Sequence, residues 1–181
     1  NQFPQQSKGK QKTKKFEGNK NPLTSNILKT IIEDKSNLSE IAKLLLNVQD
    51  KNPTVTIEIV SNFTEEFLIL KGGTKEDLDS EGFWLNTENK IYIPESTASN
   101  KENFNRVFIH ELLHSYTGYS LLKKEGLTKQ EQDFVNEITQ IWKGAKENSS
   151  NKSLQGYNNP LEFVSEIFAQ PDFVADIKKN I

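Results

Sequence analysis

The stretch that most constrains this 181-residue chain lies between positions 104 and 116. Wound on a helix, Phe104, Val107, Phe108, Ile109, Leu112, Leu113 and Tyr116 point in nearly all directions. A helix without a polar face is a buried helix. Yet this one also carries His110, Glu111 and His114, and the only two histidines of the chain are both here. Buried imidazoles and a buried carboxylate need partners, because an unpaired buried charge is costly. Any fold for this chain must wrap other elements around this helix and bring something to its polar residues.

The spacing His110-Glu111-Leu112-Leu113-His114 is H-E-x-x-H. Residues four apart lie on one helix face, one turn apart. Two imidazoles so placed reach a single tetrahedral zinc at about 2.0–2.1 Å. Glu111 is offset by about 100° around the axis, at the edge of that face. It can address a zinc-bound water without being a ligand. Zinc draws the pKa of such a water towards about 7, and the carboxylate takes its proton. The structural alternative is a pair of stacked core histidines.

A catalytic zinc takes three protein ligands and leaves a fourth position for water. The chain has no third histidine and no cysteine. Thiolate ligands, disulfides and cysteine catalysis are thereby excluded. The histidine-rich metzincin extension needs Gly three residues and His six residues after His114, where Thr117 and Ser120 stand. The third ligand must be a carboxylate. Two downstream helices offer pairs of acids four apart: Asp133 with Glu137, and Glu162 with Glu166. Like charges at that spacing weaken an exposed helix by roughly 0.2–0.5 kcal/mol and cost more when buried without cations. Phe163, Val164, Ile167 and Phe168 make the second helix strongly apolar, so its acids are expected to face something positive. Zinc for one and a ligand histidine for the other satisfy both. Asp133 and Glu137 read as solvated positions, with Glu137 the reserve ligand.

H-E-x-x-H followed by a later helix bearing Glu162-Phe163-Val164-Ser165-Glu166 resembles gluzincins of the anthrax lethal factor and Pro-Pro endopeptidase group. It is similar, too, to zincin domains embedded in long phage and mobile-element polyproteins. The likeness covers roughly residues 82–173. It implies a zinc-dependent endopeptidase that hydrolyses peptide bonds, with His110, His114 and Glu162 holding the metal. Glu111 is then the catalytic base and Glu166 the group that orients a ligand histidine. The resemblance further implies a tyrosine shortly before the ligand glutamate, steadying the oxyanion. Tyr157 stands five residues before Glu162, and Tyr116 and Tyr119 are weaker choices. The implied substrate is a protein or peptide, paired as an extended strand with a sheet edge at residues 82–85 or 90–93. The rival reading is a non-catalytic zincin-like binding module within a larger polyprotein.

The rest of the chain is organised around this helix. Residues 1–20 are polar with six lysines and read as a disordered basic tail or linker. Without arginine or interleaved aromatics, that tail gives no argument for specific nucleic-acid recognition, and neither does the net charge of -2. Residues 21–181 read as one domain. No apolar run approaches the roughly 20 residues needed to span a bilayer, and no signal-peptide core is visible at 1–20. Lack of methionine, even at position 1, suggests part of a longer polypeptide.

Apolar spacing predicts helices over 23–35 and, with Asn37 as its cap, up to 48. Period-two alternation predicts a strand over 54–60. A further strand is expected over 67–71, and a hairpin from 82–86 and 90–94. After Pro94 the pattern turns helical. Ser99 with Glu102 and Thr128 with Glu131 read as capping boxes. Asn159-Pro160 opens another helix, and Gln170-Pro171 separates a last short one. The expectation is an α+β, zincin-like fold: a small mixed sheet, a buried active-site helix and further C-terminal helices.

Overall fold

The computed structural model describes residues 23–52, 54–73, 78–123 and 125–180, without the side chains of Asp50 and Tyr119. The basic segment 1–20 lies outside the described residues. The chain begins with α1 (Thr24–Glu33) and α2 (Ser39–Val48), packed on each other through Ile27, Leu28 and Ile31 against Leu38, Ile41, Ala42 and Leu45. Apolar spacing alone would put Leu38, Ile41, Leu44, Leu45 and Val48 on the buried stripe of α2. Leu44 and Val48 face outwards and Ala42 is buried. Asn37 does not cap this helix, because Leu38 occupies the cap position and no side chain bonds there. The buried Ser39 hydroxyl instead donates to the Ile31 carbonyl, fastening α2 to α1.

Strand β1 (Thr56–Val60) leads to α3 (Glu65–Lys71). The strand expected over 67–71 is this helix. Thr64 caps it by accepting from the Phe67 N–H, and Glu65 and Glu66 sit favourably in its first turn. Gly72, at φ 76°, ends it, with the N–H groups of Gly72 and Gly73 returned to the carbonyls of Ile69 and Leu68. A run of four apolar residues is too short to tell period two from 3.6. Here the cap decides, and Ile69 and Leu70 remain exposed.

Strands β2 (Phe83–Leu85) and β3 (Lys90–Pro94) form the expected hairpin. The sheet order is β1-β3-β2, with β3 parallel to β1 and antiparallel to β2. Asn89, at φ 47°, makes the turn. Its side chain accepts from the Trp84 indole N–H and donates to the Thr54 carbonyl, which ties the hairpin to the start of β1. The central strand β3 is buried on both faces, as its neighbours require. Ile91 and Ile93 join Ile57 in the main core, and Tyr92 points the other way, among Phe63, Phe67, Leu68 and Phe83.

A short helix α4 (Glu95–Ala98) precedes the long α5 (Lys101–Leu122). Ser99 is not its cap: the Ser99 hydroxyl donates to the Ser96 carbonyl, and the Asn100 side chain accepts from the Asn103 N–H. The helix continues to Leu122, well past Tyr116. Phe104, Val107, Phe108, Ile109, Leu112 and Leu113 pack into the main core with α1, α2 and the sheet. After α5 come α6 (Lys129–Asn148), with the reciprocal Thr128–Glu131 box in place, and α7 (Pro160–Ala169), capped by Asn159. Gln170 ends α7, and α8 (Pro171–Asn180) follows. A third cluster, Tyr157, Phe163 and Phe173 with Trp142 and Leu154, joins these C-terminal elements. The architecture is α+β, with a three-stranded mixed sheet and α7 laid against α5.

Candidate metal and active site

Helix α5 is buried by the sheet, by α1 and α2, and by α7. His110 and Glu111 are almost inaccessible, at 6% and 7%, and His114 is nearly so. The two imidazole rings stand 4.5 Å apart between centroids, on the face one turn of helix provides. Across from them, the Asn159 cap and Pro160 start α7 so that Glu162 falls in its first turn. Its Oε2 lies 3.3 Å from His110 Nε2 and 3.6 Å from His114 Nε2. One turn later, Glu166 Oε1 lies 3.2 Å from His110 Nδ1. The acid pair four residues apart thus spends one member between the two histidines and the other behind His110.

These spacings fit a divalent cation. For bonds of about 2.05 Å, neighbouring ligand atoms of a tetrahedral zinc are about 3.4 Å apart. The donor atoms of His110, His114 and Glu162 lie within 4.8 Å of one another. His114 Nε2 is buried and has no hydrogen-bond partner among the described residues, although it faces the Glu162 carboxylate. Such an orphaned buried atom is costly unless a further partner belongs there. The donor set, two imidazoles and a carboxylate, is one zinc accepts.

The charges answer one another. Burial pulls the His110 imidazole down, but the carboxylates of Glu162 and Glu166, with the charge of Glu111, outweigh it and raise its pKa to about 10. Burial pushes the Glu162 carboxyl up, and the contacts with His110 and His114 outweigh that, holding it far below the usual carboxylate range.

Glu111 is held from the sheet. Its Oε2 accepts the Trp84 backbone N–H at 2.8 Å and stands 3.7 Å from His114 Nδ1. Strand β2 is pressed against α5 on both sides of the motif. A Cβ on Gly82 would meet Val107 Cγ1 at 2.6 Å, and one on Gly118 would meet the Trp84 ring at 2.8 Å. The glycines are what allow this approach. Because β3 is central, residues 90–92 are paired on both sides, and Ile93 is paired with β1. Residues 83–85 have no second strand partner among the described residues, and the Trp84 N–H on that side is taken by Glu111.

A cleft of about 230 Å³ opens on the His110 side of the group, lined by Gly82, Arg106, His110, Glu111, Gln155 and Glu166 among others. The Arg106 guanidinium is taken up by Glu81 and Asn103. Gln155 donates from Nε2 to Glu162 Oε2 at 2.8 Å.

Tyr157 is not brought to this cleft, contrary to expectation. Its ring is fully buried against Phe163 and Phe173, and its hydroxyl donates to Asp176 at 2.8 Å. The 3₁₀ turn Gln155–Tyr157 turns the tyrosine inwards and leaves Gln155 at the rim. Tyr116 packs against the main core, and the Tyr119 side chain lies outside the described residues. Asp133 and Glu137 are exposed on α6, and Asp133 pairs with Lys129. Sequence reasoning missed the Trp84 backbone N–H and Gln155. Neither carries a local signal, because each acts through a contact distant in the chain.

No family model, curated protein or solved structure matches this chain.

Proposed function

We propose that this chain is a zinc-dependent endopeptidase of the zincin-like, gluzincin type, with the metal held by His110, His114 and Glu162. The observation that carries the reading is the convergence of those three residues, from two separate helices, around the unpartnered His114 Nε2. Zinc bound there supplies Lewis acidity and draws the pKa of a water towards about 7. The protein's own groups do the rest. Glu166 at His110 Nδ1 fixes the ring so that Nε2 faces Glu162. The Trp84 N–H holds Glu111 Oε2, leaving Oε1 to take a proton and return it to the leaving amine. The open edge of β2 pairs with an extended peptide and lays it along α5, beside the motif. That pairing makes a protein or peptide the substrate.

The rival reading, a zincin-like scaffold used only for binding, gains one observation: the expected oxyanion tyrosine is engaged with Asp176. One experiment separates the two. The zinc-loaded parent and Glu111→Gln are incubated with a peptide library. The enzyme reading expects cleavage by the parent, and unchanged zinc affinity with roughly 10²–10⁴-fold slower cleavage by Glu111→Gln. Equal cleavage by both removes Glu111 from the mechanism. A parent that holds zinc and cleaves nothing supports the binding module.

A further inference from the structure

The turn Gln155–Tyr157 is clamped far more firmly than a surface loop requires. A Cβ on Gly156 would lie 2.3–2.6 Å from the Phe173 ring, so the backbone rests directly on that aromatic face. The Tyr157 ring is buried beside it, with its hydroxyl on Asp176, and Asp176 also accepts from Ser149. The Trp142 indole N–H donates to the Tyr157 carbonyl. The Tyr157 N–H donates to the Leu154 carbonyl, closing the turn. The Gln155 carbonyl accepts the Asn158 N–H, so its own backbone is held as well. Gln155 itself is exposed, and its side chain crosses to α7 to donate to Glu162.

The atom it reaches matters. Of the two Glu162 oxygens, Oε2 is the one that faces both histidines. A carboxylate in a first helical turn has several rotamers, and only some bring Oε2 between the imidazoles. A neutral donor on Oε2 selects among them and leaves the negative charge intact for a cation. Lysine or arginine there would hold the carboxylate but compete with the metal for its charge. A glutamine amide does not.

We infer that Gln155 is a positioning residue of the metal site: clamped by Gly156 and Tyr157, its side-chain amide sets the Glu162 carboxylate in its ligand orientation. The inference rests on the proposed zinc site. It also gives Tyr157 a role, as the anchor of the residue that reaches the site.

The test is zinc affinity, read by competition with a chromophoric chelator on the full chain. Gln155→Met keeps the length of the side chain and removes the donor. Because Gln155 is exposed, the fold is not at stake, and the thermal midpoint of chelator-treated protein checks this. The expected result is about tenfold weaker zinc binding, within the range for partners of metal ligands. Gln155→Glu, which adds a like charge beside Glu162, should weaken it further. In a Glu162→Ala background, Gln155→Met should have no additional effect. Parental affinity in Gln155→Met, or an equal loss in the Glu162→Ala background, overturns the inference while leaving the zinc site standing. If the parent binds no zinc, the site reading fails and the inference falls with it.

Discussion

At the scale of single residues, His110 has the most to report. Its two nitrogens face two different carboxylates, Nε2 facing Glu162 and Nδ1 facing Glu166. Together they outweigh burial and raise its pKa from 6.5 to about 10. A raised histidine pKa stabilises the fold fully below 6.5, and the contribution is lost as pH rises through about 10. The same shift sets the proton count of metal binding. With its pKa raised in this way, zinc binding at pH 7.5 is expected to displace a proton from the imidazole. Calorimetric titration with zinc in buffers of different ionisation enthalpy should show close to one His110 proton released per zinc at that pH. The release should fade as pH rises through about 10, and His110→Ala should lack it. Much of this was legible beforehand. The i,i+4 spacing of two histidines, and of two glutamates, is local helix geometry and survives any tertiary arrangement.

Elements were legible where their signals were local and long. The Thr128–Glu131 box, the Asn159-Pro160 start and the Gln170-Pro171 break all stand where the residues place them. The apolar run at 67–71 was not legible, because four residues cannot reveal a period and the Thr64 cap decided for helix. Ser99 failed as a cap because Asn100, one residue on, bonds the Asn103 N–H instead. The 3₁₀ turn Gln155–Tyr157 shows the same limit at the site. Spacing from Glu162 says how far a residue is along the chain, not which way a short turn aims it. If Tyr157 anchors that turn and does not touch substrate, Tyr157→Phe should keep kcat within about threefold of the parent. An oxyanion donor would cost roughly 10²–10³ when removed. Peptide cleavage at saturating substrate distinguishes these, with circular dichroism confirming that the buried ring still packs.

At the scale of the whole molecule, the fold brings a motif on α5 and a carboxylate pair on α7 to one place, and lays an open sheet edge beside them. Among the described residues, no helix is long and apolar enough to cross a membrane. The α+β layout follows from the change of period along the chain. The sheet order does not, since nothing local says that β3 rather than β2 is central. The edge strand that the proposed function needs is thus a product of tertiary assembly.

In the proposed function, α5 and α7 together hold one catalytic zinc. Metal content per chain, measured by mass spectrometry after zinc loading and exhaustive dialysis, addresses it most directly. One zinc per chain is expected in the parent and in Glu111→Gln, and close to none in Glu162→Ala or His114→Ala. A parent that retains no zinc, or a Glu162→Ala protein that retains it as firmly as the parent, would contradict a zinc site built from α5 and α7.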